Sequence, residues 1–455
     1  MKVVIVGDGK VGYALTEQLA REDHDVVVID SKRDVLRHLT EKLDVMVVNG
    51  NGANLSVQKA ADVGNSDLLI AATSSDEVNM LCCVVARKLG CKHTIARVRN
   101  PEYTEQLLWL KEDLGLSMAI NPEMATAREI FGLLQFPGFL KRDPFAKGRV
   151  EIVEIELKEG SPLIGKKLSE LYQTVKVRAL VCAVERKDNI HIPDGGFRLE
   201  AQDKIYVTAP YRDLAALIKA LDIGRRKVRN VLIIGGGRIA HYLAVMLLDS
   251  GIAVKIIENK QTRCEELSEL LPKADIIHGD GTEREVLLEE GIKATDAVVT
   301  LTDIDEENLL VSMFANHLGV PSVVTKINRV EYVEVLHQAG IESIVSPKIL
   351  CATDIARYVR AMENTSGGSV ISVHQLMDGR VEALEFVVTK STHHRGEKLQ
   401  KITLKPGMLI SSIIRGGSVI IPKGSDTIEL GDTLIVVTIA EQAIADLNEI
   451  FAEGV

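Results

Sequence analysis

The chain has 455 residues, of which 46% are hydrophobic, and its formal net charge is −10 at pH 7. This length predicts about three to four domains, and the acidity argues against binding to nucleic acid or to an anionic lipid surface. No run of about 18 apolar residues is present, and the 6 cysteines have no CxxC spacing. We therefore expect a soluble, cytoplasmic protein without membrane insertion, disulfides or a metal site.

The first twelve residues, MKVVIVGDGKVG, have the pattern of a buried strand followed by a glycine-rich turn. Residues 3–6 are apolar and β-branched, as in the strands of a parallel sheet. Gly7, Gly9 and Gly12 follow in the spacing GxGxxG, and an amphipathic helical pattern comes after them. The first glycine permits the turn, the second lets the backbone approach a phosphate, and the third lets helix pack on strand. This order predicts a dinucleotide whose pyrophosphate lies at the helix N-terminus.

A second apolar run, residues 26–29, ends at Asp30. A carboxylate at this position can accept both hydrogen bonds of an adenosine ribose diol and repels a 2′-phosphate. The two motifs together favour NAD or NADH over NADP. A solvated aspartate that merely closes a strand is the structural alternative.

Strand and helix patterns keep alternating, which is typical of a doubly wound parallel sheet. Further strands are predicted at 45–48, 68–72, 94–98 and 116–120. The strand at 45–48 ends in a glycine turn with Asn51 and Gly52, at the edge of the sheet where nucleotides bind. The strand at 68–72 is followed by Thr73 or Ser74 as the expected helix N-cap. The strand at 94–98 carries Arg97 near its end.

The pattern changes after this sheet. A predicted helix at 124–134, together with Phe136 and Phe139, has more apolar surface than one sheet face needs. We expect a homo-oligomer contact there, and a helix buried in its own chain is the alternative. The polar residues 141–147 indicate a linker. Short strand patterns from Val150 onward predict a small α+β lobe.

The chain then repeats itself. The run NVLIIGGGRIAHYL places Gly235 at the position of Gly7, and Glu258 stands where the first copy has Asp30. A repeat this long indicates tandem duplication of a two-domain unit, because solenoid repeats are about 20 to 50 residues long. The fold class predicted is therefore α/β, with two doubly wound Rossmann-like domains, each followed by a small α+β lobe. The expected boundaries are 1–140, 148–226, 229–362 and 370–455.

Asp30 and the segments GDGKVG, TSSDEVN and IARVRNPEY are similar to the RCK family, whose tandem units regulate potassium conductance. The resemblance covers essentially the whole chain. It implies a cytosolic, NAD(H)-binding regulatory subunit that gates a Trk-type potassium transporter. It also implies assembly on a membrane-embedded partner at the inner face of the cell membrane, and we expect the chain to form a homo-oligomer, a dimer or tetramer. ATP and ADP stay open as further ligands.

The expected nucleotide-binding residues come from this resemblance and from the turns at the sheet edge. In the first copy they are Gly7, Asp8, Gly9, Lys10, Val11, Gly12, Asp30, Asn51, Gly52, Thr73, Ser74 and Arg97. In the second copy they are Gly235, Gly237, Arg238, Ile239, Glu258, Asp280, Gly281, Thr302 and Lys326.

The second copy departs from the first at three of these positions, and we predict that it binds the dinucleotide less tightly. Ala240 replaces the third glycine. Glu258 has one more rotatable bond to order than an aspartate, and Lys326 gives a point charge where an arginine offers a planar fork.

An NAD-dependent oxidoreductase is the main alternative function, since such domains usually serve hydride transfer. That function needs a general acid or base held over the nicotinamide. Histidines such as His38, His93 and His241 have no histidine at the matching position of the other copy, so we predict no catalytic residue. A sensor of cyclic dinucleotides or ions that acts through the small lobes is a third interpretation.

Overall fold

In the computed structural model, four sheets follow one another along the chain, alternating between parallel and antiparallel. The structure describes residues 1–110, 113–135, 141–145, 150–187, 189–210, 213–221, 228–329, 336, 341, 343–364, 370–377, 380–439, 444 and 446–452. The α/β prediction, with a duplicated parallel-sheet domain followed each time by a small lobe, is confirmed.

The first sheet is parallel and has helices between its strands. Its strands are β1 (Lys2–Val6), β2 (Asp25–Asp30), β3 (Met46–Asn49), β4 (Leu68–Ala71), β5 (His93–Arg97) and β6 (Met118–Ile120), in the order β3-β2-β1-β4-β5-β6. Its helices are α1 (Lys10–Arg21), α2 (Arg33–Lys42), α3 (Leu55–Ala60), α4 (Asp76–Leu89), α5 (Pro101–Leu110) and α6 (Pro122–Gln135). The strand order reverses beside β1, and ligands of open α/β sheets bind at such a switch point.

The second sheet is antiparallel and forms the first small lobe. Its strands are β7 (Lys141–Phe145), β8 (Val150–Glu156), β9 (Leu180–Arg186), β10 (Asn189–His191) and β11 (Lys204–Pro210), with helices α7 (Leu171–Val175) and α8 (Leu214–Leu221). The predicted linker at 141–147 is wrong for 141–145, because β7 pairs along β8 as the edge strand. An edge position tolerates Pro144 and the charged residues that resemble a linker in the sequence.

The third and fourth sheets repeat this arrangement. The parallel strands are β12 (Asn230–Ile234), β13 (Ala253–Glu258), β14 (Asp275–His278), β15 (Ala297–Thr300), β16 (Ser322–Lys326) and β17 (Ser343–Val345), ordered β14-β13-β12-β15-β16-β17. Their helices are α9 (Arg238–Asp249), α10 (Gln261–Leu270), α11 (Arg284–Glu289), α12 (Asp305–His317) and α13 (Pro347–Asn364). The antiparallel strands are β18 (Val370–Leu376), β19 (Val381–Val387), β20 (Met408–Arg415), β21 (Ser418–Ile420) and β22 (Thr433–Ile439), ordered β18-β19-β22-β20-β21.

The two parallel-sheet domains pack together, and so do the two small lobes. Residues 1–131 and 229–356 form one compact unit, and residues 132–228 and 357–455 form another. In the first unit the Tyr242 hydroxyl donates to the Arg99 carbonyl and accepts from Asn121 Nδ2, both at 3.0 Å. In the second unit the buried hydroxyls of Thr208 and Ser412 lie 3.0 Å apart. The two copies of each domain are thus in direct contact within one chain.

Helix α6 buries its apolar face inside this chain. Ala127, Ile130, Leu133 and Leu134 are all buried, as the alternative of a helix buried in its own chain predicts, whereas Met124 and Phe131 are partly exposed. Phe136 and Phe139 lie outside the described residues. Among the described helices, none has the length and apolar character needed to cross a bilayer.

Candidate functional site

The first glycine loop joins β1 to α1, and two of its glycines are sterically required. Gly7 has a φ of +93°, and a Cβ there would lie 2.9 Å from the backbone nitrogen of Thr73. A Cβ on Gly12 would lie 1.9 Å from the Gly7 carbonyl oxygen. Gly9 is the helix N-cap, with extended backbone and no side-chain cap, so the first-turn N–H groups are free to meet an anion.

The remaining loop residues have distinct positions. Lys10 is exposed at the first position of α1. Val11 is 5% exposed and packs in the core, so it can line a ligand only through its backbone. The Asp8 side chain is half-buried beside Asp30.

The acid at the end of β2 organises the glycine loop. Asp30 Oδ2 accepts from the backbone N–H of Asp8 at 2.8 Å, and its Oδ1 accepts from Lys32 N–H at 2.8 Å. Glu258 makes the equivalent bonds, from Gly236 N–H at 2.7 Å and Lys260 N–H at 2.9 Å. Both carboxylates are therefore held in place by the loop backbone. We no longer expect Glu258 to lose more side-chain entropy than Asp30 when a ligand binds.

The turns after β3 and β14 approach the central strands closely. A Cβ on Gly52 would lie 2.1 Å from Val6 Cγ1, and one on Gly281 would lie 2.5 Å from Ile234 Cγ2. The exposed Asn51 Oδ1 accepts from Ala53 N–H at 2.9 Å and fixes the turn. In the second copy Asp280 Oδ1 accepts from the side chain and backbone of Thr282, and these hydrogen bonds lower the pKa of Asp280.

The loop after β4 corrects one prediction. Ser75, rather than Thr73 or Ser74, is the N-cap of α4, since its hydroxyl accepts from Val78 N–H at 3.2 Å. Thr73 is engaged differently: its backbone N–H and hydroxyl donate to Asn79 Oδ1 at 2.8 and 2.7 Å. Ser74 offers its carbonyl to the Arg99 guanidinium.

The basic residues at the ends of β5 and β16 differ in their surroundings. Arg97 Nη2 lies 3.4 Å from Glu123 Oε1 at the start of α6. Lys326 is only 7% exposed, donates to the Thr302 carbonyl at 3.0 Å and lies 3.6 Å from Asp303. Burial lowers the pKa of Lys326 and is the largest cause, although Asp303 opposes it.

Three buried polar atoms at the first site have no hydrogen-bond partner among the described residues. They are Asp8 Oδ1, Arg97 Nε and Glu123 Oε2. Burial, assisted by the charge of Asp30, raises the pKa of Asp8 to about 6. Buried polar atoms of this kind usually have a partner, so each of these three is a candidate contact for a ligand.

The second glycine loop has the same backbone form with different side chains. Gly235 has a φ of +97°, and Gly237 is the N-cap of α9. Arg238 is exposed, whereas Ile239 and Ala240 are 7% and 0% exposed. A methyl group at the matching Gly12 would be 1.9 Å from a carbonyl oxygen, so the first loop has no room for an alanine at the position that Ala240 occupies in the second copy.

Two pairs of residues were not predicted as site residues. Asn79 binds the backbone of Thr73, and Asn308 binds that of Thr302. Asp76 and Asp305 bind the segments that follow β5 and β16. Asp76 Oδ2 accepts from Arg99 N–H at 2.8 Å, and Asp305 Oδ2 accepts from Arg329 N–H at 2.8 Å. Their recurrence in both copies was the available signal. Across the described parts of the chain, no group of three His, Cys, Asp or Glu side chains could hold a metal.

Comparisons with known proteins match the whole arrangement. The TrkA-N domain matches residues 3–122 and 231–347, and the TrkA-C domain matches 152–222 and 383–452. The Trk system potassium uptake protein TrkA of Halomonas elongata is 35% identical over 460 residues, covering 100% of this chain and 99% of that protein. A TrkA homolog of Archaeoglobus fulgidus is 34% identical over 452 residues, 99% of this chain and 100% of that protein. A solved structure described as "GsuK channel bound to NAD" has a TM-score of 0.64 at 21% identity, over 97% of this chain and 77% of that one.

Proposed function

The chain belongs to the TrkA family, and from that premise we propose that it is the regulatory subunit of a Trk-type potassium-uptake system. In this proposal it binds NAD or NADH at its glycine loops, and ATP or ADP can occupy the same loops. It acts at the inner face of the cell membrane, held there by a membrane-embedded transporter subunit.

One observation carries the proposal: both copies present the same preformed nucleotide loop. The loop N–H is fixed by the ribose acid at 2.8 Å in the first copy and 2.7 Å in the second. Each loop leads into a helix whose first turn has no side-chain cap. Such an end binds phosphate without further adaptation of the backbone.

Binding without turnover is favoured over an oxidoreductase. A dehydrogenase needs a positioned acid or base near the nicotinamide, and a duplicated enzyme would keep it in both copies. His241, close to the second loop, stands where the first copy has Tyr13, and burial lowers the pKa of His241. The recurring side chains, such as Asn79 with Asn308, fix backbone rather than face a reacting atom.

Gating by nucleotides requires a large difference in affinity between two states. Reversing a ratio of 1:99 takes about 5.5 kcal/mol of differential binding, which several coupled sites supply more readily than one. We propose a homo-oligomer, a dimer or tetramer, in which the paired domains of each chain transmit the change. Multi-angle light scattering at micromolar concentration tests this, and a strict monomer would reject it.

The decisive experiment combines binding and flux. Calorimetry of the purified chain with NAD, NADH, ATP and ADP measures binding, while absorbance at the NADH band detects any turnover. Potassium flux is then measured in vesicles that contain the transporter subunit, with and without the chain and each nucleotide. Nucleotide-dependent flux without cofactor turnover supports the proposal, whereas steady NADH oxidation abolished by one point mutation would show an enzyme.

A further inference from the structure

The two nucleotide loops share their backbone form but differ in the charges around them. Asp8 follows the first glycine of the first loop, and Gly236 occupies the matching position in the second. Glu123 follows Pro122 at the start of α6, and Lys348 follows Pro347 at the start of α13. Both exchanges replace a carboxylate in the first copy by a neutral or positive residue in the second.

At the first site the extra carboxylates reduce the positive charge available to a ligand. Burial and the charge of Asp30 raise the pKa of Asp8 to about 6. Because this value is still below 7.5, Asp8 is largely ionised at pH 7.5. Glu123 lies 3.4 Å from Arg97, the cation at the end of β5, and offsets that charge. Asp8 and Asp30 thus act on one another in the loop, and Glu123 is paired with Arg97.

At the second site there is no room for the loop acid. A Cβ on Gly236 would lie 2.6 Å from Leu267 Cδ1 and 3.1 Å from Glu258 Oε2. The Arg263 guanidinium lies beside Gly236 instead, and its Nε donates to the Gly236 carbonyl at 2.8 Å. In the first copy Val35 stands at the position of Arg263, and Arg33 at the start of the equivalent helix donates to Asn49 at the end of β3.

Positive charge also accumulates at the end of β16. Lys326 is buried against Asp303, and Lys10 of the first copy adds to burial in lowering its pKa. Two ammonium groups that repel one another in this way are both relieved by an anion placed nearby. Near this loop Arg263 also pairs with Glu266 at 2.8 Å, and Asp303 and Asp305 both act against the lowering of the Lys326 pKa.

We propose that the two sites divide their ligands by charge: the first, with Asp8 and Glu123, takes a dinucleotide, and the second, with Gly236 and Lys348, takes a nucleoside triphosphate. The diphosphate bridge of NADH carries less negative charge than the triphosphate of ATP. Each added carboxylate therefore disfavours ATP more than NADH. This inference rests on the proposed function, because both ligands use the glycine loops.

The test measures NADH and ATP binding together, in EDTA so that no divalent cation neutralises the phosphates. For the unmodified chain, saturating NADH should leave one ATP equivalent bound per chain with little change in its affinity. In the double variant Asp8→Gly, Glu123→Gln, ATP should compete with NADH at the first site. Its affinity ratio to NADH should rise there by roughly tenfold for each exchange.

Two further variants complete the design. Lys348→Glu should weaken ATP at the second site about tenfold and leave NADH at the first unchanged. Glu41→Gln removes an exposed carboxylate at the far end of α2 and should change neither ratio. NADH binding that persists in the double variant shows that this variant is folded. If the double variant loses NADH binding, the ATP-to-NADH affinity ratio is measured in Asp8→Gly alone, since Gly236 shows that such a loop accepts glycine.

The outcomes separate this inference from the proposed function. Failure of every nucleotide to bind the unmodified chain would reject both. Equal ATP-to-NADH ratios at the two sites, or ratios that do not move in the variants, would reject the division by charge while leaving nucleotide-dependent regulation intact.

Discussion

Asn79 holds Thr73 through three hydrogen bonds, and so fixes the loop that closes over the first glycine turn. Its Oδ1 accepts from the threonine N–H and hydroxyl at 2.8 and 2.7 Å, and its Nδ2 donates to the threonine carbonyl at 3.3 Å. The same Nδ2 donates to the Arg97 carbonyl at 2.9 Å. One buried amide thereby joins the exits of β4 and β5.

We predict that Asn79→Ala destabilises the first parallel-sheet domain by about 2 kcal/mol, because it leaves buried backbone groups without partners. NADH binding at the first site should weaken as well. Asn308→Ala should have a similar effect on the second domain, since Asn308 makes the matching bonds to Thr302 and Lys326. Denaturant unfolding and NADH titration measure both effects.

The control is Asn65→Ala, which removes an exposed side chain bonded to Asp62 at 2.7 Å. It should cost less than about 0.5 kcal/mol. If the Asn79 and Asn65 variants lose equal stability, the amide does not organise the site.

The outline of the fold was predictable because local patterns and tertiary contacts agree in it. The apolar runs that became β1 and β2 and the glycines between them allow one arrangement. Side-chain competition was not predictable. Threonine is a common N-cap residue, but the Thr73 hydroxyl donates to Asn79 Oδ1, and Ser75 caps α4 instead. The signal for Asn79 was present in the repeat, yet the repeat alone does not say what a buried amide binds.

Two further differences arise from contacts between segments distant in sequence. The polar 141–145 segment is a strand because β8 supplies its pairing partners, and pairing of this kind overrides local propensity. The apolar residues of α6 indicated a surface contact, but they are buried in the chain itself. In the site, the sequence showed that Glu258 is longer than aspartate but not that backbone N–H groups hold it in place.

We predict that Asp8→Asn stabilises the protein at neutral pH and not in acid. The folded state raises the pKa of Asp8 from 3.8 to about 6, so between these values the folded chain binds more protons than the unfolded chain. Stability therefore falls as pH rises through this window. The asparagine variant avoids the penalty.

After a discount for the partial exposure of this carboxylate, a gain of about 2–4 °C in Tm is expected above pH 7. The gain should vanish near pH 4. Thermal unfolding from pH 4 to pH 8 measures it, with Asp34→Asn on α2 as the control. A gain that stays constant over the whole range would show that Asp8 titrates normally.

We predict that Arg186→Ala severely destabilises the small lobes. Asp203 is 1% exposed and accepts from Arg186 Nε and Nη2 at 2.8 and 2.7 Å, so loss of the guanidinium leaves a buried carboxylate unpaired. Such a loss costs about 3 to 5 kcal/mol. Arg415→Ala should behave alike, since Arg415 pairs with Asp432 at the same distances.

Arg178→Ala serves as the control for this pair, because Arg178 is exposed in the same lobe. Urea unfolding compares the three variants. Equal midpoints for the Arg186 and Arg178 variants would contradict the assignment of the buried pair.

We predict that the first site binds NADH about fivefold more tightly than the second, a difference of about 1 kcal/mol. Two differences between the copies support this ranking. Ala240 replaces Gly12, where the loop has no room for a methyl group, and we expect this methyl to hold the helix N-terminus further from a bound pyrophosphate. Lys326 donates to the Thr302 carbonyl and gives a point charge, where Arg97 has a planar guanidinium fork.

Asp30→Ala and Glu258→Ala, each titrated with NADH, provide the measurement. The comparison is matched because each substitution removes the proposed ribose acceptor and an equivalent pair of loop hydrogen bonds. The Asp30 variant should lose the tighter class of site and the Glu258 variant the weaker class, with circular dichroism showing that both remain folded. Equal losses, or a larger loss from Glu258→Ala, would reverse the ranking and place the principal dinucleotide site in the second copy.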